Sequence, residues 1–189
     1  YIRLLAPVAL YAFVFSTYEI GAKKFYPDVI PANSSDELYL VGYSSSLHRS
    51  DIDCVKSEYR NRTGDDVRRL LWLSIHDQTS KTWTTMGYVM DIHIPADPII
   101  FSINITDKSG KLASLTGALS TYRVIYYNND TMILGDKVAT YSERAMCSLW
   151  VKSKYFRTRE ADLPLLTMVY LKSNCKDPKL VPYPTTCFP

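Results

Sequence analysis

From about residue 37 onward, apolar and polar positions alternate in short runs broken by turn-forming residues. A period of two puts successive side chains on opposite faces of an extended chain, so each run reads as a β-strand with one apolar face. The pattern predicts eight strands, over Glu37–Tyr43, Asp53–Arg60, Val67–Ile75, Trp83–Ile94, Ile99–Ile105, Thr121–Tyr127, Thr131–Ala139 and Met146–Val151. Asn61-Arg62-Thr63-Gly64-Asp65-Asp66 and Asn128-Asn129-Asp130 punctuate the series as tight turns, and Pro95-Ala96-Asp97-Pro98 as a loop. In one strand Ile99, Phe101, Ile103 and Ile105 share a face opposite Ser102 and Asn104. Met86, Tyr88, Met90, Ile92 and Ile94 share a face in the strand before it, and Tyr122, Val124 and Tyr126 in the strand after. Short strands with mostly short links describe an up-and-down barrel or a sandwich.

After the last strand the period changes to that of a helix, over Glu160–Lys172. Asp162 stands where it can cap, Pro164 falls in the first turn, and Leu165, Met168, Val169 and Lys172 recur at helical spacing. Strands followed by one helix suit a barrel with a helix outside it better than an immunoglobulin-type sandwich. The proline-containing tail from Cys175 to Pro189 reads as extended along the barrel surface.

The opposite end of the chain has another character. Arg3 precedes the apolar run Leu4 to Phe15, and small and polar residues lead to Gly21-Ala22. A basic start, an apolar stretch too short to span a bilayer and a small-residue exit predict a secretory signal peptide over 1–22. Residues 23–189 then form a single domain. Two features agree with export. Cys54, Cys147, Cys175 and Cys187 are even in number and lack C-x-x-C spacing, and sequence alone permits three pairings of them. Asn33, Asn61, Asn104 and Asn129 each begin an N-x-Ser/Thr glycosylation signal, which predicts that those stretches face water.

Composition changes the picture only by exclusion. A net charge of +3 over 189 residues gives no basis for a nucleic-acid or anionic-membrane partner. Phosphate-binding, nucleophile-elbow and zinc-protease motifs are missing, so no cofactor and no enzymatic activity is expected. The three histidines offer little for a metal site. Asp91 and His93, two apart on one strand face, make the best acid–base pair in the chain, but a solvated strand exterior is the plainer reading.

The order of the Cys147-Ser148-Leu149-Trp150-Val151 strand, a helix about ten residues later, a cysteine after it and a last cysteine near the end resembles the tick salivary lipocalins, the family of the histamine-binding proteins. The general lipocalin G-x-W signature is absent near the first strand. The segments Leu38 to Ser45 and Cys54 to Asp65 are similar to the Japanin-like branch of that family. The resemblance runs from about Leu38 to Cys187. It implies an eight-stranded antiparallel lipocalin barrel with one C-terminal helix outside, and disulfides pairing Cys54 with Cys187 and Cys147 with Cys175. It also implies a secreted salivary monomer that carries a sterol such as cholesterol and modulates host immunity, with dendritic-cell maturation as the target and an immune-cell receptor as partner.

The residues support an apolar ligand in their own terms. The faces carrying Met86, Tyr88, Met90, Phe101, Ile103, Tyr122 and Tyr126, with Tyr59 and Leu149, would wall a cavity in isoleucine, leucine, methionine, phenylalanine and tyrosine, suited to a lipid with one polar group. The alternative is scavenging of histamine or serotonin, which needs interior carboxylates. Amine-binding relatives carry an acidic residue after the cysteine of the last strand, and here that position is Ser148. Glu58 and Asp91 are the remaining carboxylate candidates. The loops Ser44–Ser50, Asn128–Asp130 and Pro95–Pro98 are expected at the open end, where a receptor would bind.

Overall fold

The structure, a computed structural model, describes residues 30–95, 102–136, 143–156, 162–181 and 187. The strands are β1 (Leu38–Ser44), β2 (Ile52–Thr63), β3 (Asp66–Asp77), β4 (Thr82–His93), β5 (Ser102–Asp107), β6 (Thr121–Tyr127), β7 (Thr131–Gly135) and β8 (Cys147–Lys152). Each pairs antiparallel with the next, and β1 pairs with both β8 and β2, which closes the eight into a barrel. The expected strands are all present, with boundaries moved by a few residues. Ile99 and Phe101 lie outside the described residues, as do Lys137 to Ala139, where the seventh strand was expected to run on.

Two further elements were not expected. Helix α1 (Leu112–Thr116) stands between β5 and β6, just after the turn residues Lys108-Ser109-Gly110. Strand β9 (Pro178–Leu180) pairs with Gly42–Ser44 of β1. It occupies a strip of β1 that β2 leaves free, since β2 pairs with β1 only at Leu38 and Tyr39. β2 departs through a register break between Asp53 and Lys56, and Cys54 within it sits at φ +52°. Gly42 makes room for β9: a Cβ there would lie 3.0 Å from Leu180 Cδ2 and 3.1 Å from the Lys179 carbonyl.

The disulfides join Cys54 to Cys187 and Cys147 to Cys175, with Cα separations of 5.3 and 5.5 Å. The first ties the tail to β2. The second ties the end of the outer helix, α2 (Leu165–Asn174), to β8. That helix begins later than expected. Pro164 is its N-cap residue rather than part of its first turn, and Asp162 lies outside it. Thr167, Met168 and Leu171 face the barrel, while Leu165 and Val169 face out, at 77% and 49% exposed. The spacing identified a helix but not the side that packs, because both sides are apolar.

The packing has two layers. Leu38, Leu71, Leu73, Met90, Ile103 and Leu134 fill part of the barrel interior. Tyr39, Val41, Ile133, Leu149 and Val151 pack outside it, with Met168 and Leu171 of α2. β7 is therefore buried on both faces.

Chain direction fixes the two ends. Among the eight barrel strands the odd ones leave the end where β1 begins, so the loops after β1, β3, β5 and β7 gather at the other. Ile30, Pro31 and Ala32 are buried at the first end. Arg69, itself fully buried, holds them there. Its Nε donates to Ser57 Oγ at 2.9 Å, Nη1 to the carbonyls of Ser34 at 2.7 Å and Ala32 at 3.4 Å, and Nη2 to those of Asp36 and Ser57 at 2.5 and 3.0 Å. Desolvation lowers its pKa to about 10, against the favourable fields of Asp36, Tyr59 and Glu37, so it remains charged at neutral pH.

Candidate ligand-binding site

Between the plugged end and the loops at the other lies a cavity of about 300 Å³. Its wall is built from Ile52 and Val55 of β2, Leu71 and Leu73 of β3, Met90 of β4, Ile105 of β5, Tyr122 of β6, Leu134 of β7, Ser148 and Trp150 of β8 and Leu40 and Tyr43 of β1. Leu47 and Arg49, the segment Leu112 to Leu119 around α1, Asp136 and Met146 surround the mouth. The deep wall is apolar, and the polar groups gather toward the mouth. Such a site excludes water from a ligand's body and orients it by a few contacts.

The polar groups are themselves positioned. Trp150 Nε1 donates to Ser148 Oγ at 3.0 Å, and the Leu119 N–H donates to the Tyr122 hydroxyl at 2.8 Å. Tyr43 Oη and His48 Nδ1 lie 2.7 Å apart with their rings stacked. Asp136 Oδ1 accepts the Met146 N–H at 2.9 Å, and Arg49 is paired with Asp51 at 2.6 Å. Burial raises the Tyr122 phenol above its ordinary range, with the Leu119 hydrogen bond opposing the rise.

Of the residues expected in a cavity wall, Met90 and Tyr122 stand in it. Ile103 and Tyr88 are buried in the interior cluster beside it. Tyr59 is half-buried below it, opposite Arg69 in the register. Phe101 lies outside the described residues. Three placements differ from expectation. Met86 is 42% exposed, because β5 reaches only to the level of Met90 and leaves the upper part of β4 uncovered on that side. Tyr126 lies outside the barrel, its ring stacked on Tyr170 of α2 at 4.6 Å. The cause is a bulge: the register slips between Val124 and Tyr126, so Val124 opposes Leu134 inside, whereas Tyr126 opposes Ile133 outside. Leu149 likewise faces out, toward α2, and its neighbours Ser148 and Trp150 face in. The face of Leu149 belongs to the outer layer, with Ile133 of β7 and Met168 and Leu171 of α2, so it is the more apolar of the two. A similar slip between Leu40 and Gly42 brings Tyr43 inward.

Sequence reasoning missed Trp150, Arg49, Asp136 and the α1 segment. Of these, Trp150 is the neighbour of Leu149, the residue of that strand expected in the wall. Of the expected open-end loops, Ser44–Ser50 is at the mouth, but Asn128–Asp130 joins β6 to β7 at the plugged end. Pro95 follows β4 at that same end, and residues 96–98 lie outside the described ones.

No family model matches the chain. Two curated relatives do: Japanin of Rhipicephalus appendiculatus, 29% identical over 160 residues, and Japanin-like-RS of Rhipicephalus sanguineus, 29% identical over 162, each covering 85% of both chains. A solved structure of Japanin with bound cholesterol superposes with a TM-score of 0.71 at 30% identity, covering 84% of this chain and 99% of that one. This chain belongs to the tick salivary lipocalins. Lobster apocrustacyanin A1, at TM-score 0.51 and 7% identity, covers 82% of this chain and 79% of its own, and shares the fold alone.

In this lipocalin the Asp91 and His93 pair is not a unit. Asp91 is held by Arg68 at 2.8 Å and Lys108 at 2.9 Å, and His93 Nδ1 lies 2.8 Å from Asp66. Glu58 accepts from Trp72 Nε1 and pairs with Arg60, away from the cavity. Among the described residues, the carboxylate in the cavity lining is Asp136.

Proposed function

We propose that this chain is a secreted carrier that holds a sterol, or a lipid of similar shape, in its barrel and acts in that form on host immune cells. The observation that carries the reading is the cavity itself. A deep wall of Leu71, Leu73, Met90, Ile105, Leu134 and Trp150 has apolar surface to cover, and a rigid apolar body covers it at little cost in lost motion. The cholesterol held by Japanin supports the choice of ligand. Ligand occupancy also gives a partly hollow barrel the packing contacts that a filled core would supply.

The remaining parts of the proposal follow from the sequence. Residues 1–22 are removed on export and 23–189 form the monomeric mature domain. Of the four glycosylation signals, Asn61 and Asn129 are exposed, and Asn33 and Asn104 are half-buried. Suppression of dendritic-cell maturation, through a surface receptor, is the expected effect. A maturation-marker assay in which purified protein acts no differently from buffer would remove that part.

The test of the carrier reading is mass spectrometry of an organic extract from protein secreted by eukaryotic cells, beside a mock purification. Wild type and Tyr126→Asp should carry a stoichiometric lipid, and Met90→Asp should carry none. A lipid-free wild type defeats the reading. Amine binding has one observation on its side, Asp136 at the mouth, and Arg49 in the same lining opposes it. Calorimetric titration with histamine and serotonin separates the two.

A further inference from the structure

The mouth half of the cavity has a pattern of donors and acceptors that selects among apolar ligands. Val124, Leu134 and Ser148 lie on one rung of the β6–β7–β8 wall, with Tyr43 beyond them on β1. Two residues nearer the mouth on the same strands, about 7 Å along them, stand Tyr122, Asp136 and Met146. Ser148 and Tyr122 each use their hydroxyl oxygen to accept, from Trp150 Nε1 and the Leu119 N–H. Neither hydroxyl proton meets a protein acceptor among the described residues, and both side chains are half-buried. Asp136 receives the Met146 N–H on Oδ1, which leaves Oδ2 to accept.

We infer that the site reads a neutral lipid alcohol held with its hydroxyl toward the mouth, accepting hydrogen bonds from Ser148 and Tyr122 and donating one to Asp136. This inference rests on the carrier reading and narrows it. A hydroxyl oxygen both accepts and donates, which is what two spare donors and one spare acceptor require. A fatty-acid anion would meet the Asp136 carboxylate. An ammonium has no lone pair for the two hydroxyls and shares the mouth with the Arg49 guanidinium. In the reverse orientation the alcohol would be buried against Leu71, Leu73 and Met90, with no polar partner in the deep lining among the described residues, which costs more than a hydrogen bond gains.

The experiment is competition of cyclodextrin-delivered sterols against radiolabelled cholesterol, on wild type and on the double variant Ser148→Ala, Tyr122→Phe. The competitors are cholesterol, its 3-ketone, which accepts but cannot donate, and cholestane, which does neither. Wild type should bind cholestane at least about tenfold more weakly than cholesterol, with the ketone between. In the double variant the gap between cholesterol and cholestane should shrink to about twofold, and retained cholestane binding shows that its cavity is intact. Equal binding of all three sterols by wild type overturns this inference and leaves the carrier reading standing. A full gap persisting in the double variant also overturns it. Failure of wild type to bind any sterol removes the carrier reading and this inference with it.

Discussion

Replacing Arg69 tests the account of how the barrel is plugged. Its guanidinium reaches the carbonyls of Ala32, Ser34, Asp36 and Ser57 and the hydroxyl of Ser57. Arg69→Met keeps most of the side-chain length and removes every donor. Each stranded acceptor costs about 1 kcal/mol or more, so four carbonyls amount to about 4 kcal/mol. Part of that is returned, because a desolvated cation is no longer held in the interior, as the lowered pKa of about 10 indicates. A net loss of about 3 kcal/mol is expected, which in a chain of this size lowers Tm by about 6–12 °C. The loss should be local first: hydrogen exchange at residues 33–38 should quicken before the strands open. Arg69→Lys sharpens the test. It keeps the charge, but a single ammonium cannot span from Ser34 to Ser57, so lysine should not restore stability. Urea unfolding within 1 kcal/mol of wild type, or full rescue by lysine, would refute the reasoning.

Three other perturbations follow from the packing and the charges. At Gly135 a Cβ would lie 2.5 Å from Ile125 Cδ1 and 2.9 Å from Ala145 Cβ. The isoleucine end can move, but Ala145 is bridged to Cys175. Gly135→Ala should therefore cost about 1–3 kcal/mol in chemical denaturation, and an unchanged midpoint would contradict the contact. Replacing Cys147 and Cys175 by serine opens a loop of sequence separation 28 and should cost about 3–4 kcal/mol, with α2 losing amide protection first; equal protection across the barrel would count against its being tethered there. Arg68 and then Lys108 hold the Asp91 carboxyl down from 3.8 to about 2. A depressed carboxylate contributes stability that is complete above its unfolded value and lost as pH falls through the folded one. The Asp91→Asn variant should accordingly lose less stability than wild type between pH 4 and pH 2, and parallel acid profiles would dismiss the interaction.

The sequence by itself determined the strands, their order and the outer helix, because those follow from period and turn chemistry that each segment carries locally. It also put Met90 and Tyr122 on the interior side of the wall, Met90 because the apolar face of β4 is the interior one and Tyr122 because it precedes the bulge of β6. What it could not determine was which way an apolar face looks once both sides of the wall are covered. On β8 the apolar Cys147, Leu149 and Val151 face the outer layer that Met168 and Leu171 of α2 join, and Ser148 and Trp150 face the cavity. Alternation marks the two faces, but that outer layer decides which is more apolar. On β6 a one-residue bulge turns Tyr126 outward while Tyr122 remains inside, and a slip of that kind depends on how β6 pairs with β7 rather than on its own residues. Arg69 shows the same limit from the polar side. An arginine within an alternating strand reads as exterior, and its burial rests on carbonyls brought to it by the N-terminal segment together with Ser57 of β2. Asp136, Arg49 and the α1 segment meet at the mouth from separate loops. Their proximity is a property of the closed barrel, and no local pattern in the chain encodes it.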